Sequence, residues 1–258
     1  MAKTSKKSRP GPADRQAKIQ AAAATGGGGA NRIVVATVVV VVAIVAVVAG
    51  VVWTQVQREA SIGTSTATPA GTEMGEGYRA FADVELQPGA PTVDLYEDFQ
   101  CPVCGQFEAA TGSTVEQLAK EGKIDLRYHV VNFLDDKTGA SYSTPAGNGA
   151  FCAAAEGKFI EFHNAAFADQ APEGAPLPES TLDGWAEQAG ITGDALTTWK
   201  SCVADGTYTR YITSVNTAAF GPEKITGTPT VKIDGTDQDL QQMVTPGGFE
   251  KAVQDATT

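Results

Sequence analysis

The sequence predicts an α/β domain with a central mixed sheet and an inserted all-helical domain, preceded by one transmembrane helix. Three observations predict this architecture. Residues 33–53 form an uncharged apolar run. Residues 92–133 follow a strand, helix, strand order, which is typical of a parallel unit with a right-handed crossover. From 141 to 220 the apolar residues recur with helical spacing, which indicates a helical insert.

The N-terminal part of the chain is basic and leads into the apolar run. Residues 1–32 hold seven Lys and Arg against the single acid Asp14. The 21 positions of 33–53 can cross a hydrocarbon core of roughly 30 Å at about 1.5 Å per residue. The positive flank predicts a cytoplasmic N-terminus and an extracytoplasmic remainder in a single-pass cell-membrane protein. A cleaved signal peptide is the alternative, although its apolar region is usually only about 7 to 15 residues long.

Beyond the apolar run the charge balance inverts. The whole chain carries 19 Lys and Arg against 30 Asp and Glu, a net charge of −11, although its N-terminal part is basic. An acidic domain of this kind argues against nucleic acid as a partner and favours a solvated surface. All four Cys follow the apolar run, where an extracytoplasmic location would permit disulfides.

The remaining chain divides into a linker and one folded domain. Residues 54–77 are rich in Ser, Thr, Gly, Ala and Pro, so they predict a flexible linker. Residues 78–258 suffice for one substantial core. The predicted elements of this domain are a strand at 81–86, a turn at 87–91, a strand at 92–99, a helix from Cys101 to about Gly122, a strand at 124–133, the helical insert at 141–220, a hairpin of 230–233 with 240–244, and a final helix from Thr245-Pro246.

The most informative feature is Cys101-Pro-Val-Cys104, which directly follows the apolar strand. Two Cys at this spacing can approach each other if the second lies one helical turn beyond the first. Pro102 then occupies the first helical position, where its missing N–H costs nothing. The free N–H groups of the helix start favour a thiolate on Cys101, and a thiolate is the form that attacks disulfides. Cys104 becomes the resolving thiol.

A Cys-x-x-Cys pair can also be half of a zinc site or a structural bridge. Four-ligand zinc is disfavoured because Cys152 and Cys202 stand alone, and because His129 and His163 match no ligand spacing. We therefore expect no metal. Both histidines could lie near the active site, but a structural role is favoured for each. A structural bridge would not require the preceding strand, the following helix or the proline, so the redox interpretation is favoured.

A second motif, Gly227-Thr-Pro-Thr230, precedes a predicted strand near the C-terminus. By itself it could be a turn. Together with Tyr-Glu-Asp-Phe-Gln-Cys-Pro-x-Cys at 96–104, it resembles the thioredoxin-fold oxidoreductases of the DsbA family, specifically the membrane-anchored extracytoplasmic branch. The resemblance extends from about residue 81 to the end of the chain.

The resemblance implies a role for each residue of the two motifs. Cys101 would be the nucleophile, Cys104 the resolving Cys, and Pro229 a cis-proline facing them. Thr228 would bind substrate peptide through its backbone, with Pro102 and Val103 as further substrate contacts. No cofactor is expected beyond the redox-active disulfide. The implied partners are reduced, unfolded exported proteins and a quinone-linked membrane reoxidant, and the insert would shape an apolar peptide groove over a monomeric enzyme.

The residues just before Cys101 depart from the thioredoxin pattern of acidic residues. Thioredoxins place a buried acid six residues before the first Cys, but Leu95 stands there in this chain. Glu97 and Asp98 lie closer and are candidates for proton handling, although acids beside a helix start more often act through the dipole or as a cap.

Cys152 and Cys202 have two interpretations. Either they are buried free thiols, or they form a structural disulfide of the insert, which an oxidising compartment favours. The chain-entropy model gives a loop of this length a stabilisation of about 4 kcal/mol.

The function expected from these residues is the introduction of disulfides into exported proteins. The alternatives are a reductase or isomerase of the same fold, and a tethered binding module held by two inert bridges. The redox interpretations require the Cys101 sulfur to be ionised and open to solvent.

Overall fold

The computed structural model describes the secondary structure of residues 29–61 and 65–257. The chain divides into two compact units, Met1–Glu59 and Ala60–Thr258. Helix α1, Gly29–Ser61, is the element that the described residues show in the first unit. In this helix only the side chains of residues 34–50 are described. Within the described residues, no helix is long and apolar enough to cross a membrane. The span at 33–53 stays a prediction, and the basic head up to residue 28 lies outside the described residues.

The second unit is built on a five-stranded mixed sheet with strand order β1-β3-β2-β4-β5. β2 and β3 are parallel, whereas β1–β3, β2–β4 and β4–β5 are antiparallel pairs. The strands are β1 Tyr78–Arg79, β2 Thr92–Glu97, β3 Asp125–Val130, β4 Thr230–Ile233 and β5 Thr236–Asp237. The predicted mixed sheet with its parallel β2–β3 unit is therefore confirmed.

Helices cover this sheet and form the whole of the insert. They are α2 Pro102–Phe107, which continues through a π-helical segment Glu108–Gly112 into α3 Ser113–Lys120, then α4 Phe133–Thr138, α5 Ser143–Ala155, α6 Phe159–Ala168, α7 Glu179–Gln188, α8 Gly193–Ala204, α9 Thr209–Phe220, α10 Leu240–Met243 and α11 Gly248–Ala256. Five of them, α5 to α9, make up the insert predicted at 141–220. Helix α4 was not predicted, because its Asp-Asp-Lys-Thr end lacks apolar periodicity.

The insert has its own aromatic core. The indoles of Trp185 and Trp199 are buried against Phe162, and the indole N–H of Trp199 donates to the carbonyl of Gly149, 2.9 Å away. Cys152 of α5 and Cys202 of α8 form a disulfide with their Cα atoms 5.9 Å apart. Burial of large apolar groups is the main driving force here.

Four sequence predictions, three on secondary structure and one on the linker, need correction. The strand predicted at 81–86 is wrong, because Val84 N–H donates to the Phe81 carbonyl in a turn and the strand lies at Tyr78–Arg79. The second hairpin strand predicted at 240–244 is also wrong. There, the Asp239 carboxylate accepts from Gln241 N–H and starts the short helix α10.

The other two corrections concern the start of the final helix and the length of the linker. The final helix begins at Gly248 rather than at Thr245-Pro246, since Gly248 N–H donates to the Thr245 carbonyl in a preceding turn. The linker predicted at 54–77 is not free along its whole length. Helix α1 extends to Ser61, Gly75 N–H donates to Ser214 Oγ of α9, and Tyr211 Oη donates to the Glu76 carbonyl.

Candidate active site

The paired cysteines lie where β2 leads into α2. Cys101 is the N-cap of α2 with an extended backbone, and Pro102 is at the first helical position as predicted. Cys104 lies one turn further and is fully buried. Both thiols are free in this structure. Cys101 is only 6% exposed, so it is less open to solvent than expected.

The thiol of Cys104 makes Cys101 acidic. Its hydrogen bond to the Cys101 sulfur is the largest cause that lowers the pKa of Cys101 from 9.0 to about 6, against the opposing effect of burial. Backbone N–H groups of Val103 and Cys104 act in the same direction, as the open start of a helix should. Burial and the hydrogen bond to Cys101 raise the pKa of Cys104 well above its ordinary value. At neutral pH, Cys101 is therefore mostly thiolate and Cys104 is thiol.

The loop before β4 faces the cysteines. The Thr228–Pro229 peptide bond is cis, and the carbonyl oxygen of Thr228 lies 3.4 Å from Cys101 Sγ. The Thr228 hydroxyl is buried beside the sulfur, and a hydrogen bond from the Thr228 side chain also lowers the pKa of Cys101. The loop therefore offers polar groups beside the reactive sulfur.

An apolar cavity of about 330 Å³ adjoins the redox pair. It is lined by Val103, Gln106, Phe107, Ala110, Pro229, Leu240, Gln241 and Val244. Val103 and Val244 expose 51% and 42% of their surface, which is high for apolar side chains. The helical insert was expected to shape this groove, but α2, the cis-proline loop and α10 form it instead. Helix α10 reaches this position because Thr236–Asp237 already completes the hairpin, which brings the chain back beside α2.

The insert contacts the active-site turn through Gln170, a residue that sequence reasoning missed. Its side-chain amide donates to the carbonyls of Phe99 and Cys101, at 2.8 Å and 2.9 Å. A Cβ on Gly105 would lie 2.7 Å from Gln170 Oε1, so a glycine at that position permits the approach. No local signal in the sequence links Gln170 to residues so far upstream.

Asp98 is a structural acid of the same turn. One carboxylate oxygen accepts from Gln100 N–H at 2.9 Å and the other from Leu134 N–H at 3.1 Å. Burial raises the pKa of Asp98 to about 7, and these hydrogen bonds oppose that effect. With both oxygens engaged by backbone donors, Asp98 holds the turn before Cys101 against α4.

Glu97 ends β2 beneath the cysteines. It is 2% exposed, and its Oε2 lies 3.0 Å from His163 Nε2. Burial raises the pKa of Glu97 to about 8, although a hydrogen bond with Glu108 opposes it. The field of Glu97 in turn raises the pKa of Cys104.

The structure separates the two histidines by role. His129 pairs with Asp94 at 2.9 Å and stacks on Tyr96, as a structural histidine does. His163 was also expected to be purely structural, but it lies beside Glu97 because α6 packs against α2 and the π-helical segment.

The chain is similar in sequence and fold to known proteins. A family model described as Thioredoxin matches residues 87–255, well over half of the chain. The chain belongs to this family. In the matched region β2, α2 and the cis-proline loop hold the two cysteines and Pro229 together.

Similar solved structures indicate which kind of thioredoxin-family protein this chain is. DsbG from Mycobacterium tuberculosis, a disulfide bond oxidoreductase in its reduced form, is 30% identical with a TM-score of 0.51, covering 69% of this chain and 91% of that one. Reduced DsbA from the same organism is 30% identical with a TM-score of 0.51, covering 68% and 95%. MdbA, a thiol-disulfide oxidoreductase from Actinomyces oris, is 22% identical with a TM-score of 0.58, covering 74% and 97%, and supports the fold alone. The chain is a DsbA-like thiol-disulfide oxidoreductase.

A curated relative matches over a shorter stretch. The serine/threonine-protein kinase PknE of Mycobacterium tuberculosis is 30% identical over 120 residues, which is 45% of this chain. The alignment covers 21% of the kinase, so this chain spans about a fifth of the length of that relative.

Proposed function

We propose that this chain is a membrane-anchored oxidase that introduces disulfides into reduced, unfolded proteins outside the cell membrane. The observation that carries the proposal is the Cys101 sulfur, whose pKa falls to about 6 beside the cis-proline loop. A stabilised thiolate favours the reduced form of the pair, so the oxidised form readily gives up its disulfide.

The reaction transfers two electrons from the substrate to the enzyme. A substrate thiolate attacks Cys101 Sγ of the Cys101–Cys104 disulfide, which forms a mixed disulfide and releases Cys104 as the leaving group. A second substrate thiolate then attacks the substrate sulfur of the mixed disulfide. The substrate leaves with a new disulfide, Cys101 leaves as a thiolate, and Cys104 takes up a proton.

Substrate recognition is assigned to the apolar cavity and the cis-proline loop. The exposed side chain of Val103 and the ring of Pro229 offer apolar contact to an unfolded segment, with Pro102 at the helix start beside them. Thr228, whose carbonyl and side chain both lie beside the Cys101 sulfur, offers polar groups to a substrate backbone. Extended peptides are a chemical match for such a surface.

The location is proposed from the sequence. Residues 33–53 would anchor the chain in the cell membrane, with the basic head of 1–32 cytoplasmic and the domain extracytoplasmic. Such an anchor would place the monomeric enzyme beside a quinone-linked membrane partner that reoxidises it. A fractionation experiment tests the anchor: the full chain should stay in the membrane pellet after an alkaline carbonate wash, whereas a chain lacking 1–53 should be released. Release of the full chain by the wash would contradict the anchor.

The oxidase assignment is tested with a reduced, unfolded ribonuclease as substrate. The oxidised chain should restore ribonuclease activity, and the rate should vanish in Cys101→Ser. A Cys104→Ser chain that carries a small thiol on Cys101 as a mixed disulfide should still transfer this disulfide to the substrate. It cannot form the Cys101–Cys104 bond. Equilibration with glutathione should place the pair above thioredoxin in reduction potential. A thioredoxin-like potential with fast insulin reduction would instead establish the reductase direction.

A further inference from the structure

A cluster of three metal-ligating side chains lies behind the redox pair. Glu97 at the end of β2, Glu108 in the π-helical segment and His163 in α6 bring one ligand atom each to within 4.8 Å of one another. Glu97 Oε2 and His163 Nε2 lie 3.0 Å apart. Glu97 and His163 are 2% and 1% exposed. The cluster draws on three separate elements, so the fold itself assembles it.

The two carboxyl groups of the cluster are compensated only in part. They hydrogen-bond to each other and Glu97 Oε2 contacts His163, but Oε1 of each group is buried without a further hydrogen-bond partner among the described residues. None of the ion pairs in the described part of the chain joins Lys or Arg to either carboxylate. Buried carboxylates are costly unless a proton or a cation neutralises them. The arrangement therefore requires one of these two partners.

A cavity reaches one of the three side chains, Glu108. It has a volume of about 590 Å³, and its other lining residues include Glu116, Glu121 and Lys120, whose Nζ lies 2.7 Å from Glu116 Oε2. A Cβ at position 112 would collide with Glu108 Oε2, so Gly112 leaves space for the carboxylate beside the cavity. π-Helical segments occur frequently at functional sites. A small cation can thus reach Glu108 from solvent through this cavity.

We propose that Glu97, Glu108 and His163 bind one divalent transition-metal ion. The ligand set selects this class, because an imidazole with two carboxylates suits zinc and its neighbours, whereas calcium and magnesium prefer oxygen ligands alone. Three protein ligands leave further coordination positions for water from the cavity. The proposal goes beyond the redox function and does not depend on turnover.

Zinc binding to the oxidised full chain tests the proposal. With Cys101 and Cys104 joined as a disulfide, their sulfurs cannot hold the metal, so calorimetric titration with zinc chloride on untagged protein in detergent reports other ligands. One zinc per chain is expected. Glu108→Gln should weaken binding by more than the roughly 10-fold that loss of an outer-shell partner causes. Glu116→Gln removes the same charge from the same cavity and should leave the affinity unchanged.

Cobalt supplies a second readout that does not depend on how well a variant folds. Cobalt chloride added to the native oxidised chain should give visible absorption bands of nitrogen and oxygen coordination, without the near-ultraviolet charge-transfer band of a thiolate. Absence of zinc binding to the oxidised chain, or equal affinities of the native and Glu108→Gln chains, would overturn the proposal. A proton shared between the two carboxyls would then be the partner of the cluster.

Discussion

The acidity of Cys101 depends chiefly on one neighbouring side chain. The Cys104 thiol donates to the Cys101 sulfur, and this hydrogen bond lowers the pKa of Cys101 more than the backbone N–H groups do. The helix start, which the sequence indicated as the cause, contributes as well. The reactive sulfur and its buried partner therefore act as a unit rather than as two separate thiols.

Two substitutions of Cys104 separate the hydrogen bond from the rest of the environment. Cys104→Ala removes the donor, so the pKa of Cys101 should rise toward its ordinary value of 9.0. Cys104→Ser keeps a hydroxyl donor and should hold the pKa of Cys101 lower than the alanine variant does. Thiolate absorbance against pH measures both. Identical pKa values in the two variants would show that the hydrogen bond is not the main cause.

At the scale of elements, the active-site turn is held by the insert. Gln170 follows α6 and donates to two carbonyls of the turn between β2 and α2. This link explains why an insert far downstream in the sequence matters to the redox pair. Because a backbone carbonyl is fixed by its chain, the two bonds restrict where Cys101 can lie.

Gln170→Ala should therefore weaken both the fold and the site. Loss of two hydrogen bonds should lower the free energy of unfolding by about 2 kcal/mol, and the mixed-disulfide rate should fall because the turn loosens. Urea unfolding and stopped-flow thiol exchange measure the two effects. Gln106→Ala, on the exposed side of α2, is the matched control for stability and should change the free energy of unfolding little. Equal losses of stability in both variants would rule out a specific structural role for Gln170.

The Cys152–Cys202 disulfide joins α5 to α8 inside the insert, and the two cysteines are 50 positions apart in sequence. Replacing both with Ala should lower the free energy of unfolding by about 4 kcal/mol in the chain-entropy model. Chemical unfolding of the native and double-variant chains measures this. Well below the unfolding transition, the pKa of Cys101 should stay the same in both. A loss of the low pKa in the double variant would mean that the bridge shapes the active site.

Local patterns predicted the elements well where the pattern and the packing agree. The apolar run before Cys101, the proline at the helix start and the alternation in β3 each pointed to the observed structure. Leu240 to Val244 misled the prediction because their apolar residues suit a strand as well as a helix. The Asp239 side chain decided for the helix by capping it.

At the scale of the whole molecule, the low pKa of Cys101 couples redox state to stability. In the reduced chain, the pKa of Cys101 is about 6 when folded and near 9.0 when unfolded. Folding then favours the thiolate. This contribution is fully present above about pH 9 and is lost as the pH falls through about 6.

The free energies of unfolding of the native reduced chain and of the reduced Cys101→Ser chain should therefore differ, and the difference should depend on pH. The difference in their free energies of unfolding should be largest near pH 9 and should shrink toward pH 6 and below. Comparing the two chains cancels the titrating groups whose pKa does not depend on Cys101, which excludes Cys104 and Glu97. Thermal unfolding across this range measures the difference. A difference that stays constant with pH would exclude the linkage.

The sequence could not predict the contacts that depend on the assembled fold. Glu97, Glu108 and His163 carry no common spacing, and their convergence depends on how α6 packs against α2 and the π-helical segment. The same is true of Gln170, which reaches the active-site turn only after the insert has folded. By contrast, the two cysteines and Thr228-Pro229 were found from the sequence, because family resemblance linked motifs that are distant in the chain.

The most direct test of the redox function is a titration of the Cys101 thiolate in the full reduced chain, followed by its ultraviolet absorbance. Absorbance is preferable to alkylation because the sulfur is only 6% exposed and a reagent could be excluded. A midpoint near pH 6 is predicted, with no second thiolate until strongly alkaline pH. A midpoint near 9 for both thiols would contradict the proposed oxidase.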